Sequence, residues 1–228
     1  PRKGETMSAQ QPKGDSWRML RTLAGVSLLS GMLIVFAYET TLPRILANRQ
    51  RAIEDAVFRV LPGATSRATY LVEGDALRLT EDTTAPGTKL YAGYGGDGKL
   101  VGVAIEAAGQ GYQDVVRVLY GYSPERQAAT GFTVVESKET PRLGDTIGFD
   151  PGFLANFDGL DLQVSEDGAV LRNEVVTVKH GAKKEPWEID GISGATVSSR
   201  AVGRIVNDSA KQLVPIILKH RQQLEARQ

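Results

Sequence analysis

The sequence predicts an α+β protein with a single N-terminal transmembrane helix, followed by a domain in which helices flank an antiparallel sheet. Three observations lead to this fold class. An uncharged apolar stretch runs from Thr22 to Tyr38, and strand-like runs separated by glycine-rich turns begin at Thr69. After Thr196, apolar residues recur with the period of a helix.

The composition limits the classes of function open to the chain. Its 228 residues, 24% charged and 41% hydrophobic, are enough for one sizeable domain with accessory segments. The net charge is zero and no basic recognition motif occurs, so we expect no nucleic-acid partner. The absence of cysteine excludes disulfides, thiolate nucleophiles and cysteine-ligated metal clusters. His180 and His220 lie far apart and each follows a lysine, which favours solvated positions, so we expect no metal site.

We predict a transmembrane helix at residues 17–38, preceded by a short arm at residues 1–16. Such a helix is about 33 Å long at 1.5 Å per residue, enough to cross the hydrocarbon core. Trp17 and Tyr38 then lie near the two interfaces, where aromatic side chains are favoured. A cleaved leader is the alternative, because Val35-Phe36-Ala37 resembles a signal-peptide cleavage site. The chain retains the residues before that site, which favours an uncleaved anchor.

A connecting helix is predicted at residues 39–63, where an apolar stripe runs from Leu42 to Leu61 and Pro62-Gly63 ends it. The folded domain then occupies residues 64–228. Its predicted strands cover residues 69–72, 77–79, 89–91, 100–105, 115–120, 132–136 and 170–179. We expect a short helix at residues 151–157, and a helical tail from residue 209 to residue 228 with a break at Pro215.

One glycine-rich segment has the spacing of a dinucleotide-binding fingerprint. Gly93-Tyr94-Gly95-Gly96-Asp97-Gly98 matches Gly-x-Gly-x-x-Gly, but that fingerprint requires a helix directly after it. The residues that follow, from Lys99 to Val103, have the pattern of a strand. We therefore interpret Gly96-Asp97-Gly98 as a hairpin turn and reject nucleotide binding there.

The most informative segment is Asp190-Gly191-Ile192-Ser193-Gly194-Ala195-Thr196. Its two glycines and turn-prone side chains predict a loop up to Ala195, and the apolar period after it predicts a helix. Thr196 then falls in or just before the first turn, with Ser193 available as a cap. The unpaired amides and the positive dipole end of a helix start are a good seat for a phosphate group. Ordinary helix capping, with no ligand, is the alternative reading of the same residues.

Two segments carry a resemblance to a known family. The pattern Asp-x-x-Ser-Gly-Ala-Thr at Asp190–Thr196 resembles the sequence on which a flavin transferase attaches FMN. Glu139-Thr140-Pro141-Arg142-Leu143-Gly144 is similar to the Glu-Thr-Pro-Gly-Leu-Gly segment of the G subunit of Rnf-type electron transport complexes. More loosely, it resembles the C subunit of the sodium-pumping NADH:quinone oxidoreductase. The resemblance covers roughly Gly109 to Ile217.

The resemblance implies a set of site residues. Thr196 is expected to carry FMN through a covalent phosphoester, within the motif formed by Ser193, Gly194 and Ala195. Asp190 is expected to serve in recognition by the flavin transferase. The contacts to the flavin ring are expected from Glu139, Thr140 and Leu143.

The chain departs from the family pattern at two positions. Arg142 replaces the glycine between proline and leucine, which places a cation near the expected flavin and is expected to raise its reduction potential. Asp114 stands where the family more often has a glycine after Gly111-Tyr112-Gln113. Both changes bear on the geometry of the pocket more than on attachment.

The resemblance implies an electron-transfer subunit of a membrane-bound, ion-translocating oxidoreductase complex. The expected partners are other membrane subunits of the complex, the flavin transferase during maturation, and the lipid bilayer through residues 17–38. Basic residues flank the span on both sides, so charge alone does not orient it. The resemblance places the chain in the bacterial inner membrane, with its N-terminus in the cytoplasm and the flavin domain in the periplasm. A regulatory flavin module and a structural subunit without flavin are the alternatives.

Overall fold

A computed structural model describes residues 16–80 and 87–226. The described residues divide into two compact units, with the boundary between Arg49 and Gln50. Helix α1 covers Ser16–Val60 and has Pro43 inside it. Its first half is long and apolar enough to cross a membrane by length and composition. Every side chain from residue 16 to residue 41 is exposed, and residues 22–38 carry no charge. The predicted arm at residues 1–16 lies almost entirely outside the described residues.

The second unit is built on a six-stranded antiparallel sheet, which confirms the α+β prediction. Its strand order is β2-β1-β3-β4-β5-β6, so the strands form a meander except that β1 lies between β2 and β3. The strands are β1 Ser66–Glu73, β2 Ala76–Thr80, β3 Lys89–Tyr94, β4 Leu100–Gln110, β5 Val115–Ser123 and β6 Ala128–Glu136. Residues 95–99 form the tight turn between β3 and β4, as the hairpin interpretation of this segment predicts.

The larger core lies on one face of the sheet. Helix α3, Thr196–Lys219, packs there with its buried face, and α4, Arg221–Glu225, follows it. Helix α2, Pro151–Leu154, and the 3-10 turn Ala155–Phe157 confirm the predicted short helix. They bring Phe153 and Phe157 onto Phe132 of β6, with the rings of Phe132 and Phe157 stacked at 4.1 Å. This packing fixes the loops that lead to the start of α3.

The opposite face of the sheet holds the end of α1 through a row of glycines. Gly93 pairs with Gly102, and Gly121 pairs with Gly131, so four adjacent strands lack side chains at this point. Val60 and Leu61 of the helix end fill the space that those side chains would occupy. The Thr130 hydroxyl donates a hydrogen bond of 2.7 Å to the Val60 carbonyl, which caps the contact.

The glycine row predicts a strong effect of a single methyl group. A Cβ at Gly121 would lie 2.2 Å from both the Val60 carbonyl oxygen and the Thr130 Oγ1. We expect Gly121→Ala to lower the free energy of unfolding by about 2 kcal/mol, because the backbone of the helix end must move away from the sheet. Gly96→Ala is the matched control, because no atom lies within 4 Å of where its methyl group would stand, and it should change little. Thermal unfolding of the two variants side by side tests this, and equal stability would contradict the assigned packing.

Two predictions about secondary structure were wrong. Residues 170–175 are not part of a strand, since only Val176–Val178 forms strand β7, which pairs in parallel with β8, Glu188–Asp190. A turn centred on Asp167 and Gly168 instead directs the Val170 carbonyl back to the amide of Ser165. The expected break at Pro215 is also absent, because α3 continues to Lys219. The buried side chains around it, Leu213, Val214, Ile216 and Ile217, offset the hydrogen bond that proline cannot make.

Candidate functional site

The site is organised around the first residue of α3. That residue is Thr196, whose side chain is exposed, and Ala195 occupies the N-cap position. The first turn of a helix leaves amides without intrahelical partners, so the Thr196 hydroxyl lies beside backbone donors that favour an anionic group. Gly194 precedes it with φ of 86°, a left-handed conformation that glycine adopts without strain. Nothing lies within 4 Å of where a Gly194 side chain would begin, so this side of the loop is open.

The predicted cap at Ser193 was wrong. Ser193 is exposed, and no side chain caps the helix, because Ala195 is the residue directly before the first helical turn. A fully buried hydroxyl inside the helix takes over the role of holding the loop. Ser199 accepts a hydrogen bond from the Ile192 amide at 3.1 Å and donates one to the Ala195 carbonyl at 2.9 Å. These two hydrogen bonds of Ser199 hold the loop before Thr196 against the buried side of α3.

Glu139 joins three segments at one buried carboxylate, with 5% of the residue exposed. Its Oε1 accepts hydrogen bonds from the amides of Tyr112 and Gln113, at 2.8 and 3.0 Å. Its Oε2 accepts a 2.5 Å hydrogen bond from the hydroxyl of Ser198, in the first turn of α3. The turn after β4, the loop after β6 and the start of α3 are therefore held together beside Thr196.

Two glycines make room for this carboxylate. A Cβ at Gly111 would lie 2.4 Å from Oε1 of Glu139, and a Cβ at Gly144 would lie 2.5 Å from its Oε2. Any other residue at either position would displace the carboxylate from its donors. Both glycines are thus required by the buried Glu139 itself. The predicted contact of Glu139 with flavin stays a prediction, but both of its carboxylate oxygens already accept hydrogen bonds.

The loop after Glu139 contains the other two predicted flavin contacts. The Thr140 carbonyl accepts hydrogen bonds from the amides of Leu143 and Asp145, and the Thr140 hydroxyl donates to Gln113 Oε1 at 3.2 Å. Leu143 is 54% exposed. Two large apolar side chains on the neighbouring segments are exposed as well, Tyr112 at 68% and Val197 at 52%. The surface next to Thr196 therefore combines apolar side chains with backbone donors, which is the mixture that a flavin requires.

Asp114, one of the two departures from the family pattern, adds a further tie. Its Oδ1 accepts a hydrogen bond from the Val115 amide, and its Oδ2 accepts one from Lys138 at 2.8 Å. The hydrogen bond from Lys138, with that from the Val115 amide, holds the pKa of Asp114 below its ordinary value. The ion pair links the turn at Gly111 to the loop that contains Glu139, so this substitution supports the site geometry.

Asp190 holds the loop from its other end. Its Oδ1 accepts a hydrogen bond from the Gly181 amide at 2.7 Å, and its Oδ2 lies 3.5 Å from His180 Nδ1. Asn156 makes two hydrogen bonds to the backbone of Asp190. Its Oδ1 accepts one from the Asp190 amide, and its Nδ2 donates one to the Asp190 carbonyl. Asp190 and Ser193 line one cavity of about 240 Å³ together with His180 and Asp150. The role of Asp190 in transferase recognition stays a prediction.

The sequence did not predict the buried residues whose hydrogen bonds hold the loops around Thr196 in place. Ser198 and Ser199 follow Thr196 closely, and two hydroxyl residues within a first helical turn are a signal that such contacts exist. Asn156 lies 34 residues before Asp190, and nothing in the sequence pattern connects the two. For the residues that the structure describes, no group of three or more acidic or histidine side chains is arranged to hold a metal ion.

The part of the chain that contains the site matches a family of cofactor-binding domains. Residues 111–211 match the FMN-binding domain family, a range that contains the Glu139 loop and the Thr196 motif. The residues around Thr196 fit this cofactor, since an exposed hydroxyl, free helix amides and apolar side chains occur together.

The relatives of the chain are G subunits of ion-translocating oxidoreductase complexes. One, from Methanosarcina acetivorans, is 28% identical over 81% of this chain and 87% of its own length. Another, the G subunit of the proton-translocating ferredoxin:NAD(+) oxidoreductase complex of Clostridium ljungdahlii, is 24% identical over 91% and 96%. Among solved structures, NqrC of Shewanella oneidensis shares the fold, with a TM-score of 0.60 and 18% identity over 79% of this chain and 100% of its own. The resemblance inferred from the sequence is confirmed.

Proposed function

We propose that this chain carries FMN on Thr196 through a phosphoester and relays electrons as a subunit of a membrane-bound, ion-translocating oxidoreductase complex. The observation that carries the proposal is the placement of the Thr196 hydroxyl. It is exposed at the first residue of α3, in a loop that buried hydrogen bonds hold on both sides. A hydroxyl in that position is accessible to a modifying enzyme without any unfolding of the domain.

Attachment requires that the Thr196 hydroxyl oxygen forms a bond to the phosphorus of FMN and loses its proton. The phosphate must be activated, so the donor is a flavin dinucleotide, whose pyrophosphate bond breaks as the nucleotide leaves. A separate flavin transferase is part of the proposal because the motif at Asp190–Thr196 resembles the acceptor sequence of such an enzyme. When bound, FMN supplies reversible acceptance of electrons, and the protein supplies its position and tether.

The remaining groups near Thr196 position the flavin and do no chemistry of their own. Backbone amides of the first turn of α3 would hold the phosphate and stabilise its negative charge. Leu143 and Tyr112 would offer apolar surface to the ring system. The hydrogen bonds of Glu139 tie the segments that contain these two residues to the start of α3. Because the tether is covalent, the cofactor stays with the protein outside the cytoplasm, where no flavin pool would replace it.

We further propose that α1 crosses the membrane, that the second unit lies outside the cytoplasm, and that other membrane subunits supply and receive the electrons. The apolar, exposed stretch from Trp17 to Tyr38 supports the first point. The names of the relatives, which are complex subunits, support the last.

One experiment tests both redox activity and side of the membrane. Right-side-out vesicles are prepared from cells that co-express the chain with a flavin transferase, and dithionite, which does not cross membranes, is added. We expect flavin absorbance to bleach without detergent and to return on reoxidation, relative to vesicles containing Thr196→Ala. Bleaching only after detergent would contradict the location. Absence of flavin would leave the structural alternative, and flavin that dithionite does not reduce even in detergent would contradict a role in electron transfer.

A further inference from the structure

The loop beside the attachment site contains one strained residue. Thr140 to Leu143 forms a tight turn, since the Leu143 amide donates to the Thr140 carbonyl at 3.1 Å. Pro141 occupies its second position and Arg142, with φ of 61°, its third. This is the arrangement of a type II turn, in which the third residue must be left-handed and is ordinarily glycine. An arginine in that conformation is strained relative to glycine.

Contacts within the chain do not explain this strain. In the described part of the chain, only Gln127 and Arg142 are non-glycine residues with positive φ. Gln127 is stabilised by two hydrogen bonds, because its carbonyl accepts from the Leu162 amide and its side chain accepts from the Val164 amide. Arg142 is exposed, and within residues 16–80 and 87–226 its guanidinium has no hydrogen bond or ion pair. Strain retained without a compensating contact is typical of residues that act on a ligand.

The turn lies at the apolar part of the site. Leu143 follows Arg142 directly and is exposed, and the loop is tied through Glu139 to the first turn of α3 and to the amide of Tyr112. The cavity that Ser193 lines before Thr196 is bordered by the side chains of Asp150, Asp190 and His180. With a phosphate at Thr196, the exposed Leu143 would offer the aromatic ring system an apolar neighbour.

Apart from Arg142, the charged residues of this loop are Lys138, which is paired with Asp114, and the carboxylates Glu139 and Asp145. Asp145 Oδ1 is buried without a hydrogen-bond partner among the described residues. Two-electron reduction of a flavin with uptake of one proton leaves one negative charge on the ring. Without Arg142, the carboxylates of this loop would disfavour that charge.

We propose that Arg142 tunes the bound flavin by placing its guanidinium at the ring system, where the cation favours the reduced form and raises the reduction potential. The inference rests on the proposed function. The backbone strain at Arg142 is retained because only a residue with a side chain can place a cation at this position, whereas glycine would relieve the strain.

Three substitutions separate charge from backbone strain. Arg142→Gln keeps the strained backbone and removes the charge, Arg142→Lys keeps both, and Arg142→Gly removes both. The midpoint potential of the flavinylated full-length chain is measured for each in detergent. At a fixed potential, we expect the ratio of reduced to oxidised flavin to fall about tenfold for the Gln and Gly variants, equal to about 30 mV for a two-electron couple. The Lys variant should remain near the native chain.

A second readout does not need the cofactor. In chains that also carry Thr196→Ala, and are therefore not flavinylated, Arg142→Gly should raise the melting temperature by about 2–4 °C as the strain is relieved. Arg142→Gln should leave the melting temperature unchanged. A potential that is the same in the Gln variant and the native chain, with flavin attached to both, would overturn the inference and leave the proposed function standing. Equal losses in the Gln and Lys variants would also overturn it. A native chain without flavin would overturn both proposals.

Discussion

Thr196→Ala is expected to abolish covalent flavin completely. The variant lacks the only hydroxyl at the first position of α3, so no oxygen is available there to bond to the phosphorus of FMN. Because Thr196 is exposed and caps nothing, its removal should leave the fold unchanged. The measurement is flavin fluorescence of the denatured chain after electrophoresis, following co-expression with the transferase.

Two controls define the result. Thr196→Ser keeps a hydroxyl at the same place and should retain the flavin. Ser193→Ala removes an exposed hydroxyl three residues earlier, which caps nothing, and should also retain it. Fluorescence that persists in Thr196→Ala but disappears in Ser193→Ala would show that the flavin is attached at the other hydroxyl of the motif.

Glu139→Ala is expected to lower the free energy of unfolding by about 3 kcal/mol, because it leaves two amides and one hydroxyl without an acceptor inside the protein. These are the amides of Tyr112 and Gln113 and the hydroxyl of Ser198. The loss also frees the Leu143 loop from α3, so we expect slower flavinylation of the folded chain. Glu139→Gln should cost about 1 kcal/mol, since its amide oxygen still accepts from the backbone.

Lys138→Ala is the matched control for Glu139→Ala. Lys138 is the adjacent residue on the same loop, but its side chain is 71% exposed and its ion pair with Asp114 lies at the surface. Thermal unfolding of the full-length chain in detergent compares the variants. If Glu139→Ala unfolds at the same temperature as Lys138→Ala, then the buried carboxylate does not hold the site together.

The sheet was predictable because each strand has its own local signal. Alternating or continuous apolar runs between glycine turns located all six strands of the sheet, with shorter bounds than the structure has. The error at residues 170–175 has a physical source, since Val170 and Leu171 satisfy strand propensity but the Asp167-Gly168 turn directs their backbone elsewhere. Likewise, Pro215 has a fixed local cost that the buried face of α3 outweighs.

The site was predictable only in part, for a related reason. Thr196 follows from a local motif, since a loop with two glycines before a helical period leaves few positions for the helix start. The hydrogen bonds of Glu139 do not follow from a local motif, because their donors include residues 26 and 59 positions away in sequence. A buried carboxylate of this kind looks like a solvated turn residue until the fold brings its donors to it. The strain at Arg142 also appears only in the backbone angles.

The most direct test of the account is to locate the flavin on the chain. Cleavage after lysine and arginine releases residues 185–200 as one peptide, which contains Thr196 together with Ser193, Ser198 and Ser199. Tandem mass spectrometry of this peptide from the flavinylated protein should show an added mass of one FMN less one water, with fragment ions that assign it to Thr196. An added mass on one of the serines, or a peptide that is never modified in the presence of the transferase, would contradict the proposed attachment.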